Sequence, residues 1–288
     1  MTRSSEKPYS IRVFVPGGRP DGLRVIEKSN WTGLGIVFPR SEYADVKGRD
    51  EFGRTGVYIL VGPADEGDLP TIYVGQGDPV KARLDSHYAT KDFWTWAVFF
   101  VTKDNSLNKA HIGHLEARLL QLAKGAKRSQ LDNSNTPDPS PLSEAESADM
   151  ENFLVDILSV LPLVNLGVFE KPQDVGAGQQ VLELHARGVH AKGYESGDGF
   201  VVLAGSDVHS EETPTLHNYL RAMRKSLVSE GVIVPNDKHF QLAENYEFNS
   251  PSQASSVVLA STNNGREAWK DPSGRTLKEI QESTAKAE

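Results

Sequence analysis

Gly56-Val57-Tyr58-Ile59-Leu60-Val61-Gly62, then the polar loop Pro63 to Pro70, then Thr71-Ile72-Tyr73-Val74-Gly75 read as two strands of an antiparallel hairpin. Side chains alternate along a strand. Val57 and Ile59 therefore point one way with Ile72 and Val74, and Tyr58 and Tyr73 point the other. In a suitable register the two phenols share one face.

Downstream, Asp78-Pro79 opens a helix that runs to about Ala89, with Asp78 as N-cap and proline in the first turn. Arg83 and His87 stand four apart on it and share a face. Trp94 to Val101 is an aromatic, β-branched strand. Leu107 to Ala123 carries Ile112, Leu115, Leu119 and Leu122 at helical spacing, with Glu116 beside that stripe. Leu131 to Pro141 is a loop rich in Asn, Ser and Pro, and a helix follows from Glu144 to Val160. Upstream, three short strands are expected between Ser10 and Phe38, around the turn Gly17-Gly18-Arg19-Pro20-Asp21-Gly22, with Trp31 packed on them.

A linker is expected at Gln173 to Gln179. Beyond it the pattern restarts: a strand at Gly199 to Gly205, a helix at Leu216 to Glu230, a shorter helix at Ser252 to Ala260, turns and short strands at Gly265 to Trp269 and Gly274, and a frayed tail after Gln281. The expected fold class is α/β in the broad sense (α+β). Three regions are expected: a β-rich segment 1–53 packed on a domain 54–172, and an α+β domain 180–288.

The chain has 288 residues, a formal net charge of −8 and no cysteine. The missing cysteines exclude disulfides, thiolate metal sites and a cysteine nucleophile. No stretch approaches the length of a membrane span, and Met1 to Ser10 lacks the apolar core of a signal peptide, so the expected location is cytoplasmic, with no membrane partner. The charge is uneven. Thr71 to Gln130 holds nine Lys/Arg against five Asp/Glu, a net of +4, while Leu131 to Asp174 holds one Lys against nine Asp/Glu, a net of −8. A local basic surface matters more for phosphate binding than the sum. Lys81, Lys109, Lys124 and Arg128 are its candidate nucleic-acid contacts.

Tyr58, Tyr73, Arg83, His87 and Glu116 are residue types suited to phosphodiester hydrolysis. Tyrosine, histidine or an activated water shuttles the proton. Arginine offers a fork matched to phosphate oxygens. One glutamate, with water and phosphate oxygens, suffices for Mg²⁺. Taken singly, each has a plainer reading: sheet tyrosines, solvated helix residues, a boundary glutamate. His111 and His114, three apart, lack metalloprotease spacing. Neither Gly17-Gly18 nor Gly176-Ala177-Gly178 has the context of a nucleotide loop.

In order and spacing, Gly56-Val57-Tyr58, Tyr73-Val74-Gly75, Arg83, His87 and a long helix bearing Glu116 resemble the GIY-YIG nuclease family, with valine for isoleucine in both tripeptides. The resemblance covers roughly Arg54 to Asn135. It implies a three-stranded antiparallel sheet flanked by helices and a metal-dependent DNA endonuclease using Mg²⁺ or Mn²⁺. Tyr58 would act as or orient the general base, and Tyr73 would organise water and phosphate. Arg83 would stabilise transition-state charge, His87 would assist proton transfer, and Glu116 would be the metal ligand. A site asparagine would be Asn135, with Asn133 or Asn108 as alternatives.

Phe248-Asn249-Ser250-Pro251-Ser252-Gln253-Ala254, Asn264-Gly265-Arg266, Trp269-Lys270, Gly274 and Thr276-Leu277 resemble a second family, the DUF4357 domain, over about 245–282. That domain accompanies nucleases and restriction-associated proteins, so Arg266 and Lys270 join the candidate DNA contacts. Ser250 reads as a helix N-cap and Trp269 as core. The rival reading is a catalytically weak DNA-binding or modified-DNA-sensing module on a nuclease scaffold. A structure-selective repair nuclease is a third.

Overall fold

The computed structural model describes residues 8–63, 69–171, 175, 179–197 and 199–286. Its contacts divide the described chain into two compact units, with the division at Glu170 and Lys171. The linker expected at Gln173 to Gln179 falls mostly outside the described residues. The architecture is mixed α+β. Among the described residues no helix is long and apolar enough to cross a membrane.

The N-terminal unit contains β1 (Ile11–Phe14), β2 (Arg24–Lys28), β3 (Gly33–Pro39), α1 (Tyr43–Val46), β4 (Gly56–Gly62), β5 (Thr71–Gly77), α2 (Val80–Thr90), β6 (Trp96–Thr102), α3 (Lys109–Ala126), β7 (Gln130–Leu131) and α4 (Glu144–Val160). The strands form one sheet in the order β1-β2-β3-β6-β4-β5-β7. All neighbours are antiparallel except β5 and β7. The hairpin β4–β5 pairs over its whole length, from Gly56↔Gly77 to Gly62↔Thr71. β3 pairs with β6 from Gly33↔Thr102 to Pro39↔Trp96, so the N-terminal strands continue the central sheet.

Alternation decides what covers each face. Val57, Ile59, Val61, Ile72, Val74, Val98 and Phe100 share a core with Leu115 and Leu119 of α3 and with Phe153 and Ile157 of α4. Tyr58, Leu60, Ala97 and Phe99 share the opposite core with Val80 and Leu84 of α2 and with Tyr43 of α1. The sheet thus has helices on both faces, and α2 alone lies over the tyrosines among the longer helices. Trp31 packs as expected, 5.3 Å from the Phe153 ring and 6.2 Å from that of Phe100. Lys28 is anchored to Asp156 at 2.7 Å, which ties β2 to α4.

Two local expectations are corrected. Asp78 does not cap α2. Pro79 holds the N-cap position, and the Asp78 carboxylate instead accepts from Thr55 Oγ1 at 2.7 Å. The loop expected from Leu131 begins with a strand residue, because Gln130 and Leu131 pair beside Thr71 and Ile72.

The C-terminal unit contains β8 (Leu182–Ala186), β9 (Val189–Glu195), β10 (Phe200–Val202), β11 (Asp207–Val208), α5 (Asn218–Ser229), β12 (Ile233–Asn236), β13 (His239–Leu242), β14 (Tyr246–Phe248), α6 (Pro251–Leu259), α7 (Gly265–Ala268) and α8 (Leu277–Lys286). Its sheets run β14-β10-β9-β8 and β11-β13-β12. Trp269 is fully buried against Phe200, and its indole N–H donates to Pro251 O at 3.0 Å. Ser250 caps α6 by accepting from Gln253 N. Gly265 to Ala268 is a short helix rather than a turn, started by the Asn264 side chain. The tail is also helical: Thr276 and Glu279 exchange side chain-to-backbone hydrogen bonds at its start, and Leu277 and Ile280 pack on the core.

Candidate active site

The register of the hairpin sets Tyr58 opposite Gly75 and Leu60 opposite Tyr73. The two tyrosines are therefore diagonal neighbours on one face, with ring centroids 6.2 Å apart and planes 25° apart. Gly75 has a steric role here. A Cβ built on it would lie 2.4 Å from the Tyr58 hydroxyl oxygen and 2.5 Å from Cζ. The buried phenol occupies the space that a side chain would take.

Helix α2 brings the next two residues. His87, one helical turn after Arg83, is buried, with its ring centroid 4.7 Å from Tyr73 and its Nε2 2.8 Å from the Tyr58 hydroxyl. Burial and the nearby cations of Arg83 and Lys91 lower the His87 pKa to about 4. The imidazole is neutral at pH 7, so Nε2 is free to accept the phenol proton in one tautomer, an assignment made from the hydrogen-bond network. Burial also raises the Tyr58 pKa, and the neighbouring Tyr73 adds to this, while Arg83 opposes it. Tyr58 keeps its proton at neutral pH. Arg83 is exposed, and its guanidinium bears on both phenols, which raises its own pKa.

Glu116 approaches from the other layer. It stands beside Leu115 on α3, and α3 packs on the face opposite the tyrosines. Gln76, which shares that face by alternation, donates from Nε2 to Glu116 Oε2 at 2.9 Å. Beyond Ile72 the outer edge of β5 is not paired to β7. The Glu116 charge is felt at Tyr58, and the Arg83 charge at Glu116. Burial raises the Glu116 pKa, with only an amide hydrogen bond and a distant cation to oppose it. A half-buried carboxylate held by a neutral amide, with no direct Lys or Arg partner among the described residues, suits a divalent cation. The ion would offset the cost of burying the charge.

The asparagine nearest this edge is Asn133, not Asn135. Asn133 accepts from Val74 N at 2.9 Å and donates to Val74 O at 2.8 Å, which closes the ladder where β7 stops. Asn135 is exposed in the following loop. Asn108 caps α3, accepting from Ala110 N and His111 N.

Sequence reading missed two side chains. Lys91 follows α2, stands 4.6 Å over the Tyr73 ring and pairs with Asp132. Gln76 positions Glu116. No local pattern singles out either, because both are defined by partners far along the chain.

The basic surface is narrower than the charge count implied. Lys81 pairs with Asp85 at 2.5 Å, and Arg118 pairs with Glu151 at 2.7 Å. His114 also binds Glu151, at 2.8 Å. Lys109 and Lys124 are exposed near opposite ends of α3, and Arg128 is half-buried. In the C-terminal unit Arg266 Nε donates to Gln281 at 2.8 Å, and the Lys270 backbone bridges Glu183 and Thr276.

Residues 182–281 match the family model described as a domain of unknown function, DUF4357. The C-terminal resemblance is thereby borne out, and it extends about sixty residues further toward the N-terminus than the 245–282 region first read. No GIY-YIG family model matches the N-terminal unit. No curated protein and no solved structure matches the chain.

Proposed function

We propose that the N-terminal unit is a metal-dependent DNA endonuclease that hydrolyses phosphodiester bonds at the Tyr58–Tyr73–Arg83–His87–Glu116 site. The observation that carries this reading is the hydrogen-bonded Tyr58–His87 pair with the exposed Arg83 acting on it, and, within electrostatic reach of both Tyr58 and Arg83, a half-buried carboxylate with no direct Lys or Arg partner among the described residues.

Mg²⁺ or Mn²⁺ held by Glu116 would supply an acidified water and charge neutralisation at the phosphate. The chain's own groups do the rest. As the oxygen of the attacking water bonds to phosphorus, the P–O3′ bond breaks and the 3′ oxygen leaves with a proton from solvent. The water's proton would pass to the Tyr58–His87 hydrogen bond. Because Tyr58 is fully buried in the free chain, substrate binding must first expose its hydroxyl. A bound phosphodiester places negative charge near Arg83 and Lys91. That charge cancels part of the field that depresses the His87 pKa, so His87 becomes a better acceptor when substrate is present. Arg83 faces the equatorial oxygens and stabilises the charge that grows there. Tyr73 lies against the Tyr58 ring and carries the Lys91 ammonium over its own, and so helps to position both. The DUF4357 domain would select the substrate, with Arg266 and Lys270 among its contacts, in a restriction or defence setting.

The test is incubation of the full chain with plasmid, linear duplex, single-stranded DNA and RNA, in Mg²⁺, Mn²⁺ or EDTA. Metal-dependent cleavage of a DNA substrate supports the reading. Salt-sensitive DNA binding with no cleavage of any substrate in either metal would favour the sensing module instead.

A further inference from the structure

We infer that the C-terminal unit carries a binding site for a divalent transition metal such as Zn²⁺, formed by Glu183, His185 and His190 on the β8–β9 hairpin. No part of the nuclease reading is needed for it.

The register builds the site. Glu183 faces Lys192 and His185 faces His190 across the ladder, while Leu182, Leu184 and Ala191 supply the buried face. Glu183, His185, His190 and Lys192 therefore share the outer face. The two imidazoles lie nearly parallel, with ring centroids 4.1 Å apart and planes 12° apart. Both Nε2 atoms turn to the same oxygen: Glu183 Oε2 is 3.1 Å from His185 Nε2 and 3.7 Å from His190 Nε2. One ligand atom from each residue lies within 4.8 Å of the others.

His190 Nε2 supplies a separate observation. It is shielded from water and makes no hydrogen bond among the described residues, since Glu183 Oε2 at 3.7 Å is beyond hydrogen-bond reach. A shielded ring nitrogen without a hydrogen bond is costly unless something coordinates it. A metal ion would answer that need. Zinc takes nitrogen and carboxylate oxygen at about 2.0–2.2 Å, so ligand atoms around it sit closer together than they do here. His185 and Glu183 are not buried and can close the gap by side-chain rotation. Lys192 holds the other carboxylate oxygen, Oε1, at 3.3 Å and leaves Oε2 to the imidazoles.

Two imidazoles and one carboxylate favour Zn²⁺, Co²⁺ or Ni²⁺ over Mg²⁺, which prefers oxygen ligands. They leave at least one coordination position to water. β8 is the last strand of its sheet, bridged on its outer side by Lys270 at Glu183, and the ion would also pin the β8–β9 hairpin.

The experiment is a titration of the full-length, isotope-labelled chain with paramagnetic Co²⁺ in excess Mg²⁺, followed through the amide resonances. At one equivalent, signals from Leu184 to Ala186 and Val189 to Ala191 should broaden first, and excess Zn²⁺ should restore them. The H185A/H190A double variant should lose this broadening. Early broadening elsewhere, none at all, or hairpin broadening that persists in the double variant would overturn the assignment. The native arm alone is decisive if the variant fails to fold.

Discussion

Gly75→Ala is the sharpest probe of how the tyrosine face is built. The added methyl would lie 2.4 Å from the Tyr58 hydroxyl oxygen and 2.5 Å from Cζ, so the ring or the strand must move. The ring is fully buried between α2 and the sheet and has little room. Overpacking of this kind costs about 1–3 kcal/mol. If Tyr58 yields, its 2.8 Å hydrogen bond to His87 is lost, for about 0.5–1.5 kcal/mol more. Relief of glycine's backbone entropy returns about 0.5–1 kcal/mol. The net expectation is a loss of about 1–3 kcal/mol. It is read by urea unfolding followed by tryptophan fluorescence, since Trp31, Trp94 and Trp96 report on this unit and only Trp269 on the other. In a Tyr58→Leu background the clashing atoms are gone, and the same substitution should be neutral or slightly stabilising. An equal loss in both backgrounds, or no loss in the native one, would refute the reasoning.

The His87 pKa is lowered to about 4 in the folded chain, against about 6.5 for an ordinary histidine. The unfolded chain therefore takes up this proton first as pH falls. Stability from this group is full above about pH 6.5 and declines as pH falls through about 4, by about 3 kcal/mol in all. Glu116 shifts in the opposite sense, so the test is the difference between native and His87→Gln chains in urea unfolding at pH 7.5 and 4.5, with the native chain losing more. Asn133→Ala should cost about 1–2 kcal/mol by removing both bonds to Val74, whereas Asn135→Ala should change unfolding by less than about 0.5 kcal/mol. Arg83→Ala should lower single-turnover cleavage about 10²–10³-fold with unfolding midpoints nearly unchanged, because the side chain is exposed.

The hairpin was legible because alternation and the bounding glycines are local signals. The shared face of Tyr58 and Tyr73 then needed only the register. The position of Arg83 and His87 on one helix face was equally legible, but not that α2 would lie over the tyrosines. That depends on Val80 and Leu84 packing beside Leu60. The union of β3 with β6 joins residues about sixty apart and leaves no mark in either strand alone. Asn133 and Asn135 are alike in sequence, and only the end of β7 separates them. The last helix was misread despite a visible signal: Thr276 and Glu279 are spaced as a capping pair, and Leu277 and Ile280 as one apolar face.

The central claim is that Glu116 holds the metal for phosphodiester hydrolysis. The most direct measurement compares metal-dependent DNA cleavage by the native chain, Glu116→Ala and His185→Ala, each first shown to be folded. The account predicts that Glu116→Ala loses cleavage in Mg²⁺ and Mn²⁺ while still binding DNA, and that His185→Ala cleaves like the native chain. Cleavage by Glu116→Ala at the native rate would contradict it.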